Sequence, residues 1–287
     1  MSMLHFSRLL LLWALLPAGS VVAQQPAPSA AASKAAAAPT EAEVLRRATQ
    51  LIQNRQYESA WKLLNGFDPK HRRPAVALKQ TDLALNYHLR SRELEGFGFV
   101  DVKPLERLDS LREHFTRAAV PYPFVVETVL KNLIRQHPTT YRLHRALADY
   151  YYQTEQCNCA EADKSPAQLY ALMVRYYATA HQHGLGDFSS YFALGYARQS
   201  LRQFAESVPA YTRAIALRPS YAPAHFQLAY SYTVLQKLPL ALQEARAAAR
   251  YFDDPTAKSD ATYLAENLEK KIAQAAKAKK KQVNKKK

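Results

Sequence analysis

Glycine is scarce in this chain, with seven residues among 287. The run GLGD at 184–187 lacks the lysine and the hydroxyl residue of a phosphate-binding loop, so we expect a turn there. The sequence also contains no HExxH, GxSxG or EF-hand pattern. Because no nucleophile–base or metal-ligand constellation is present, we expect a protein that is not an enzyme and that needs neither a cofactor nor a metal ion.

Cysteine is limited to Cys157 and Cys159. His181 and His183 are the candidate partner ligands for a metal, but they stand at the far end of a helix predicted over residues 165–182. That helix separates the two pairs by about 27 Å, so they cannot share one ion. The favoured interpretation is an inert or disulfide-linked loop. A redox pair is the alternative, although a CxC spacing lacks the usual CxxC context.

Long apolar runs are also lacking. The apolar run at 9–16 is short, whereas a membrane span takes about 20 residues, which disfavours an uncleaved anchor. Val21 and Ala23 place small residues at positions −3 and −1 of a cleavage site, so residues 1–23 are predicted to be an export signal. No cysteine follows the run, which excludes the bacterial lipoprotein route. We therefore expect export across the inner membrane to the periplasm or cell envelope.

The positive charge is concentrated at one end. The net charge is +15, but residues 269–287 hold nine lysines and one glutamate, and the stretch 41–268 carries only +5. Residues 277–287 are expected to be a disordered polybasic tail that contacts anionic lipid; the alternative is a solvated tail that keeps the protein soluble. The tail has no aromatic residue to stack on bases, so nucleic acid is not expected. Its lysines are Lys277, Lys279, Lys280, Lys281, Lys285, Lys286 and Lys287.

An internal repeat dominates residues 188–255, where two copies of one unit follow each other. Leu194 of the first copy aligns with Leu228 of the second, and Tyr196 aligns with Tyr230. The two copies are offset by 34 residues, and a fixed period of this length is typical of helical repeat arrays. Each copy has the spacing of a helix–turn–helix unit, since apolar or small residues recur at helical intervals in both halves.

The repeat resembles the tetratricopeptide (TPR) family. The residues that carry the resemblance are Tyr191, Leu194, Gly195, Phe204, Tyr211, Ala214 and Pro219. The first copy departs from the family pattern at Arg198 and Ser207, and the second copy has Asp253 in place of the proline. The resemblance implies an all-α fold, a right-handed solenoid of helix–turn–helix repeats with a C-terminal capping helix.

The remaining segments extend this array. After a low-complexity linker at 24–40, residues 41–138 are interpreted as degenerate N-terminal repeats, beginning with a capping-box spacing at Thr40 and Glu43. Within them we expect a long helix over 74–92, a loop or short extended piece over 93–102, and helices over 105–117 and 124–136. Residues 139–255 are the TPR-like repeats, and residues 256–276 are the capping helix.

The resemblance also implies a binding surface, because the first helices of tetratricopeptide repeats line a concave groove for a peptide or partner helix. Three residues spaced i, i+4 and i+7 on each first helix share one face. Those predicted to form the groove are Arg145, Asp149 and Tyr152, then Phe192, Tyr196 and Gln199, then Phe226, Tyr230 and Thr233. The alternative is that these aromatic residues pack between neighbouring helices.

Two functions are therefore expected from the sequence. The first is a scaffold, not an enzyme, that is exported to the cell envelope and binds a protein or peptide partner in the groove. The second is a tether to the envelope surface, in which the lysine tail binds anionic lipid. Their salt dependence differs, because binding through the tail should weaken sharply as ionic strength rises.

Overall fold

The computed structural model describes residues 38–114, 120–157 and 164–285. The predicted export signal, residues 1–23, lies outside the described residues, as does nearly all of the linker that follows it. The helices of the described part are α1 (Glu41–Gln53), α2 (Tyr57–Phe67), α3 (Pro74–Asn86), α4 (Leu108–His114), α5 (Val126–Gln136), α6 (Tyr141–Gln156), α7 (Pro166–Gln182), α8 (Phe188–Ser200), α9 (Phe204–Leu217), α10 (Ala222–Val234), α11 (Leu238–Tyr251) and α12 (Pro255–Lys285).

The helices pack in chain order as antiparallel pairs. Contacts join α6 with α7, α8 with α9, and α10 with α11, and each pair also contacts the pair that follows it. The expected all-α solenoid of helical repeats is confirmed. The core leucines Leu194 and Leu228 share a repeat position, and both are buried, with 6% and 2% exposure. Stacking of such units buries a continuous core that no unit forms alone.

One kind of turn joins the two helices in the α1–α2, α8–α9 and α10–α11 pairs. Arg202 and Gln236 occupy the same repeat position, and both have left-handed backbone, with φ of 61° and 59°. Arg55, between α1 and α2, has the same conformation with φ of 62°. In all three turns the N–H of the following residue donates to the carbonyl five positions back. The first helix pair therefore shares the turn geometry of the repeats, although its side chains match them poorly.

The predicted capping box at the start of α1 is confirmed. The Thr40 hydroxyl accepts from the Glu43 backbone N–H at 3.3 Å, and the Glu43 carboxylate accepts from the Thr40 N–H at 2.8 Å. These bonds satisfy two of the donors that every helix start leaves free.

The N-terminal part departs from a simple repeat. The helix expected over 74–92 ends at Asn86, and a three-stranded antiparallel sheet follows in the order β1 (Arg90–Arg92), β2 (Gly96–Gly98), β3 (Tyr122–Pro123). The loop or short extended piece expected over 93–102 contains the paired strand β2, and the helix expected over 124–136 is observed as Val126–Gln136. The helix expected over 105–117 begins at Leu108 and is described as far as His114, while residues 115–117 lie outside the described part of the chain. The sheet covers a buried aromatic cluster in which Phe99 stacks on Trp61 with centroids 4.9 Å apart.

Helix α12 closes the array on α11. Ala261, Ala265 and Leu268 are buried against the last repeat, and Leu264 and Ile272 are half-buried. The helix continues to Lys285, so the boundary expected at residue 277 is not observed and the basic segment is helical. The reason is composition, because residues 269–285 contain no glycine or proline and are rich in the good helix formers alanine, lysine and glutamine.

Candidate functional site

The first helices of successive units contact one another: α1 contacts α3, α3 contacts α6, and α8 contacts α10. We call the layer that these helices form the inner layer, and the face that they present the inner face. These are the helices that carry the predicted groove residues, together with the N-terminal α3, where the sequence predicts no groove residue. The candidate site is therefore the face that these helices present.

Arg145 is the centre of a polar network at the α6 end of this face. Its Nε donates to both carboxylate oxygens of Asp149 at 2.9 and 3.0 Å, and its Nη2 donates to Asp187 at 3.1 and 3.2 Å. Its Nη1 donates to the Leu185 carbonyl at 3.2 Å, and the Tyr177 hydroxyl donates to Asp149 at 2.8 Å. The network ties α6 to α7 and to the N-terminus of α8, where Asp187 is the N-cap.

Burial and charge shift the pKa values in this network. Burial raises the pKa of Asp149, and the nearby Arg145 opposes that shift without cancelling it. Burial also acts to raise the pKa of Asp187, but the Ser190 N–H and the Arg145 charge lower it to about 2. For His181, burial and then the Arg145 charge lower the pKa to about 4. The Asp187 carboxylate is therefore a stable anion, whereas for Asp149 the Arg145 charge offsets only part of the effect of burial on the pKa.

A cavity of about 360 Å³ opens beside this network, between α3 and α6. We call it the α3–α6 cavity. The structure brings the first predicted trio together here, because Arg145, Asp149 and Tyr152 all line it. Its other lining residues are Leu78, Thr81, Asp82, Leu85, Asn86, Ala146, Gln153, Tyr177 and Ser189. The cavity combines apolar walls from α3 with carboxylate, hydroxyl and amide groups, a composition typical of a selective binding pocket.

The second predicted trio, on α8, is mostly engaged in contacts between helices. The Tyr196 hydroxyl donates to Glu155 at 2.9 Å, and its ring meets the edge of Tyr152 with centroids 6.2 Å apart. Gln199 donates to the Gln227 carbonyl and the Ser231 hydroxyl of α10 at 2.9 and 2.8 Å. Phe192 packs on Tyr211 and Tyr221. These three side chains are half-buried, so they support the inner layer as well as bordering its surface.

The third predicted trio, on α10, is unevenly exposed. Tyr230 is 48% exposed and packs on Phe204, with centroids 6.0 Å apart. Phe226 is half-buried against Phe252, and the Thr233 hydroxyl donates to the carbonyl of Ala229 within its own helix. Tyr196 contacts Tyr152 and Tyr170 rather than Tyr230. Tyr230 is therefore the predicted groove aromatic most available to a partner.

Sequence reasoning missed the α3 side of the cavity. Thr81 and Asp82 lie far before Arg145 in the chain, in a helix that does not match the repeat register. It also missed Glu155 and Asp187, which anchor Tyr196 and Arg145. The spacing of Asp187 and Ser190 could have predicted a helix N-cap in the sequence. The ion pair of Asp187 with Arg145 could not be predicted in this way, because it depends on how α6 packs beside the start of α8.

Of the two predicted loop cysteines, Cys157 caps the C-terminus of α6 and is disulfide-bonded, while Cys159 lies outside the described residues.

Among the described residues, no group of three or more His, Cys, Asp or Glu side chains is arranged to hold a metal ion. None of the described helices combines the length and hydrophobicity needed to cross a membrane. Of the predicted tail lysines, Lys277 is exposed, and the side chains from Lys279 onwards lie outside the described part of the chain.

Comparison with known proteins gives structural neighbours only. No protein-family model and no curated protein matches the chain. The solved structure of MamA AMB-1 aligns over 73% of this chain and 90% of its own, with 18% identity and a TM-score of 0.47. TTC0263, a thermophilic TPR protein of Thermus thermophilus, aligns over 78% of this chain and 98% of its own, with 14% identity and a TM-score of 0.44.

The chain has a TPR-like fold of stacked helix pairs. At the identities and TM-scores of these neighbours, the similarity carries no conclusion about what this chain binds.

Proposed function

We propose that this protein is an interaction scaffold, not an enzyme, that binds a peptide or partner helix along its inner face. The observation that carries the proposal is Tyr230, a large aromatic side chain left 48% exposed on an inner-layer helix. Tyrosine is enriched at binding hot spots because its flat ring buries much area while its hydroxyl keeps a hydrogen bond. The α3–α6 cavity adds a concave polar site to the same layer of helices.

The test compares two exposed tyrosines. Tyr230→Ala removes the inner-face aromatic, and Tyr263→Ala removes a tyrosine that is 69% exposed on the capping helix α12. Capture of partners from an envelope extract by the immobilised protein should weaken in the first variant and stay at the wild-type level in the second. Equal capture by both variants and the wild type contradicts the proposal.

Location in the cell envelope is part of the same proposal. It rests on the sequence of residues 1–23, in which a short apolar run precedes small residues at the predicted cleavage site. A partner in the envelope is then the expected class of ligand.

A second candidate function, a tether to an anionic lipid surface, is favoured by helix α12. Among its described side chains, which reach residue 278, the last buried one is Leu268, and residues 273–278 are exposed, yet the helix continues to Lys285. A basic helix that extends past its packing partner is suited to a negatively charged surface. Binding to vesicles that contain anionic lipid should fall when residues 277–287 are deleted and when salt is raised. Unchanged binding after the deletion removes this candidate.

A further inference from the structure

The α3–α6 cavity holds more negative than positive charge. Arg145 is the only Lys or Arg among the described residues that line it, and the lining carboxylates are Asp82 and Asp149. The positive charge of Arg145 is shared with groups outside the cavity, because its guanidinium also donates to Asp187 and to the Leu185 carbonyl. Two carboxylates and one cation therefore line the cavity, and that cation is shared with Asp187, which leaves uncompensated negative charge in the lining.

The α3 wall of the cavity carries the carboxylate of Asp82. Asp82 accepts a hydrogen bond from Asn86 at 2.9 Å and keeps further acceptor capacity. The cavity thus offers a negatively charged hydrogen-bond acceptor, which is satisfied best by a charged donor.

The rest of the lining fits an aliphatic stem. Leu78 and Leu85 supply apolar walls from α3, and the Tyr152 ring lies on the α6 side. A volume of about 360 Å³ is enough for one long side chain. Long basic side chains bury their methylene stems on apolar surface while the charged end finds carboxylates.

We propose that the α3–α6 cavity binds a lysine or arginine side chain of the segment that occupies the inner face. Asp82 and Asp149 receive the charge. An acidic side chain is excluded by repulsion from the carboxylates, and an apolar one leaves the Asp82 carboxylate desolvated without a cation. This inference rests on the proposed function, because it names the chemistry of the partner at one end of the inner face.

The net charge of +15 does not argue against a cationic ligand here. Much of that charge lies in residues 269–287, and at physiological ionic strength charges farther than about 8 Å are largely screened. The local carboxylates therefore decide selectivity.

The experiment uses three single-residue probes and the full chain. N-acetyl-lysine methylamide and N-acetyl-arginine methylamide carry the proposed side chains, and N-acetyl-norleucine methylamide has a neutral stem of similar shape. Titrations followed by the backbone amide signals of residues 78–86 and 145–153 should saturate with the cationic probes. The norleucine probe should bind about tenfold more weakly, which corresponds to about 1.4 kcal/mol.

One variant and one control sharpen the assignment. Asp82→Asn should weaken the cationic probes about tenfold, and Asp260→Asn, at an exposed position of α12, should leave them unchanged.

Equal binding of the norleucine probe, absence of saturable shifts, or insensitivity to Asp82→Asn overturns the inference. These outcomes are distinct from failure of the proposed function. If Tyr230-dependent capture persists while the probes fail, only the cavity assignment falls. If the probes bind while capture is independent of Tyr230, the inner-face proposal falls.

Discussion

Gly195 on α8 is packed so closely that a single methyl group should destabilise the protein. A Cβ built at this position would lie 2.7 Å from Cδ1 and Cε1 of Tyr211 and 3.0 Å from its Cγ. Tyr211 is fully buried, and its Cγ is tied closely to its backbone, so the ring cannot move aside cheaply. Gly195→Ala gains about 1 kcal/mol of helix propensity, but overpacking against a ring that cannot move falls in the upper part of the usual range, about 2–3 kcal/mol.

We expect a net loss of about 1–2 kcal/mol for Gly195→Ala, measured as a fall of about 3–6 °C in the thermal midpoint by far-UV circular dichroism. Gly66→Ala is the matched control, since a methyl group added to this helical glycine of α2 would meet no atom within 4 Å. It should raise the midpoint slightly, because alanine costs less backbone entropy than glycine.

The second repeat supplies the compensation test. At the positions of Gly195 and Tyr211 it has Ala229 and Ala245, both fully buried, so a methyl group fits where the ring is missing. In a Tyr211→Ala background, Gly195→Ala should therefore be neutral or stabilising, giving a coupling of about 1–3 kcal/mol in a double-mutant cycle. A Gly195→Ala protein as stable as the wild type would refute the packing argument.

Four further predictions concern stability, pH and processing. The two ring nitrogens of His225 face two acceptors, Glu244 at 2.6 Å and the Pro219 carbonyl at 2.9 Å. Burial lowers the pKa of His225, but these bonds leave it raised, so the stability that the ring contributes is present below about pH 6.5 and lost as pH rises through the raised pKa. His225→Gln should remove that loss from the pH dependence of the melting temperature. His181 gives the opposite pH dependence of stability. Because its pKa is lowered to about 4, the stability it contributes is present above about pH 6.5 and lost as pH falls towards 4. His181→Gln should reduce the fall in melting temperature on the acidic side. Deleting residues 277–287 should leave the thermal midpoint nearly unchanged, because Leu268 is the last buried residue among the α12 side chains that the structure describes. A large drop would show that the segment belongs to the folded core. Intact-mass measurement of protein from its native envelope should show that the segment 1–23 has been removed, and recovery of the full-length chain in the membrane fraction would contradict the export prediction.

How much of the fold could be predicted follows from particular residues. Leu194 and Leu228 recur one repeat apart and are both buried, so the period alone identifies the helix pairs and their core positions. The sheet was not predictable, because β2 is only Gly96–Gly98 and pairs with β3 across the long intervening segment 99–121. Short strands with distant partners leave little periodic signal.

The candidate site was predicted only in part, for a similar reason. The helical spacing of Arg145, Asp149 and Tyr152 predicts that they share one face of α6, and all three line the α3–α6 cavity, while their role in a partner-binding groove stays a prediction. The opposite wall comes from α3, whose pairing with α6 is a tertiary contact that no local pattern encodes. Tyr196 illustrates the same limit, since its bond to Glu155 joins two helices far apart in the chain and makes it a supporting residue as well as a surface one.

The partial burial of Tyr196 also decides which variant tests binding cleanly. Leu228→Ala removes a buried side chain and should cost about 2–5 kcal/mol of folding free energy, whereas Tyr230→Ala, further along the same helix, opens no sealed cavity and should melt close to wild type. Tyr196→Ala lies between these, because it breaks a hydrogen bond and two ring contacts.

The central claim, that a partner occupies the inner face, is tested most directly by site-specific photo-crosslinking in the native envelope. A photoreactive phenylalanine analogue placed at Tyr230 should form a crosslinked adduct with a protein partner, and the same analogue at Tyr263, which is more exposed but lies on the capping helix, should not. Adducts at Tyr263 with none at Tyr230 would contradict the account.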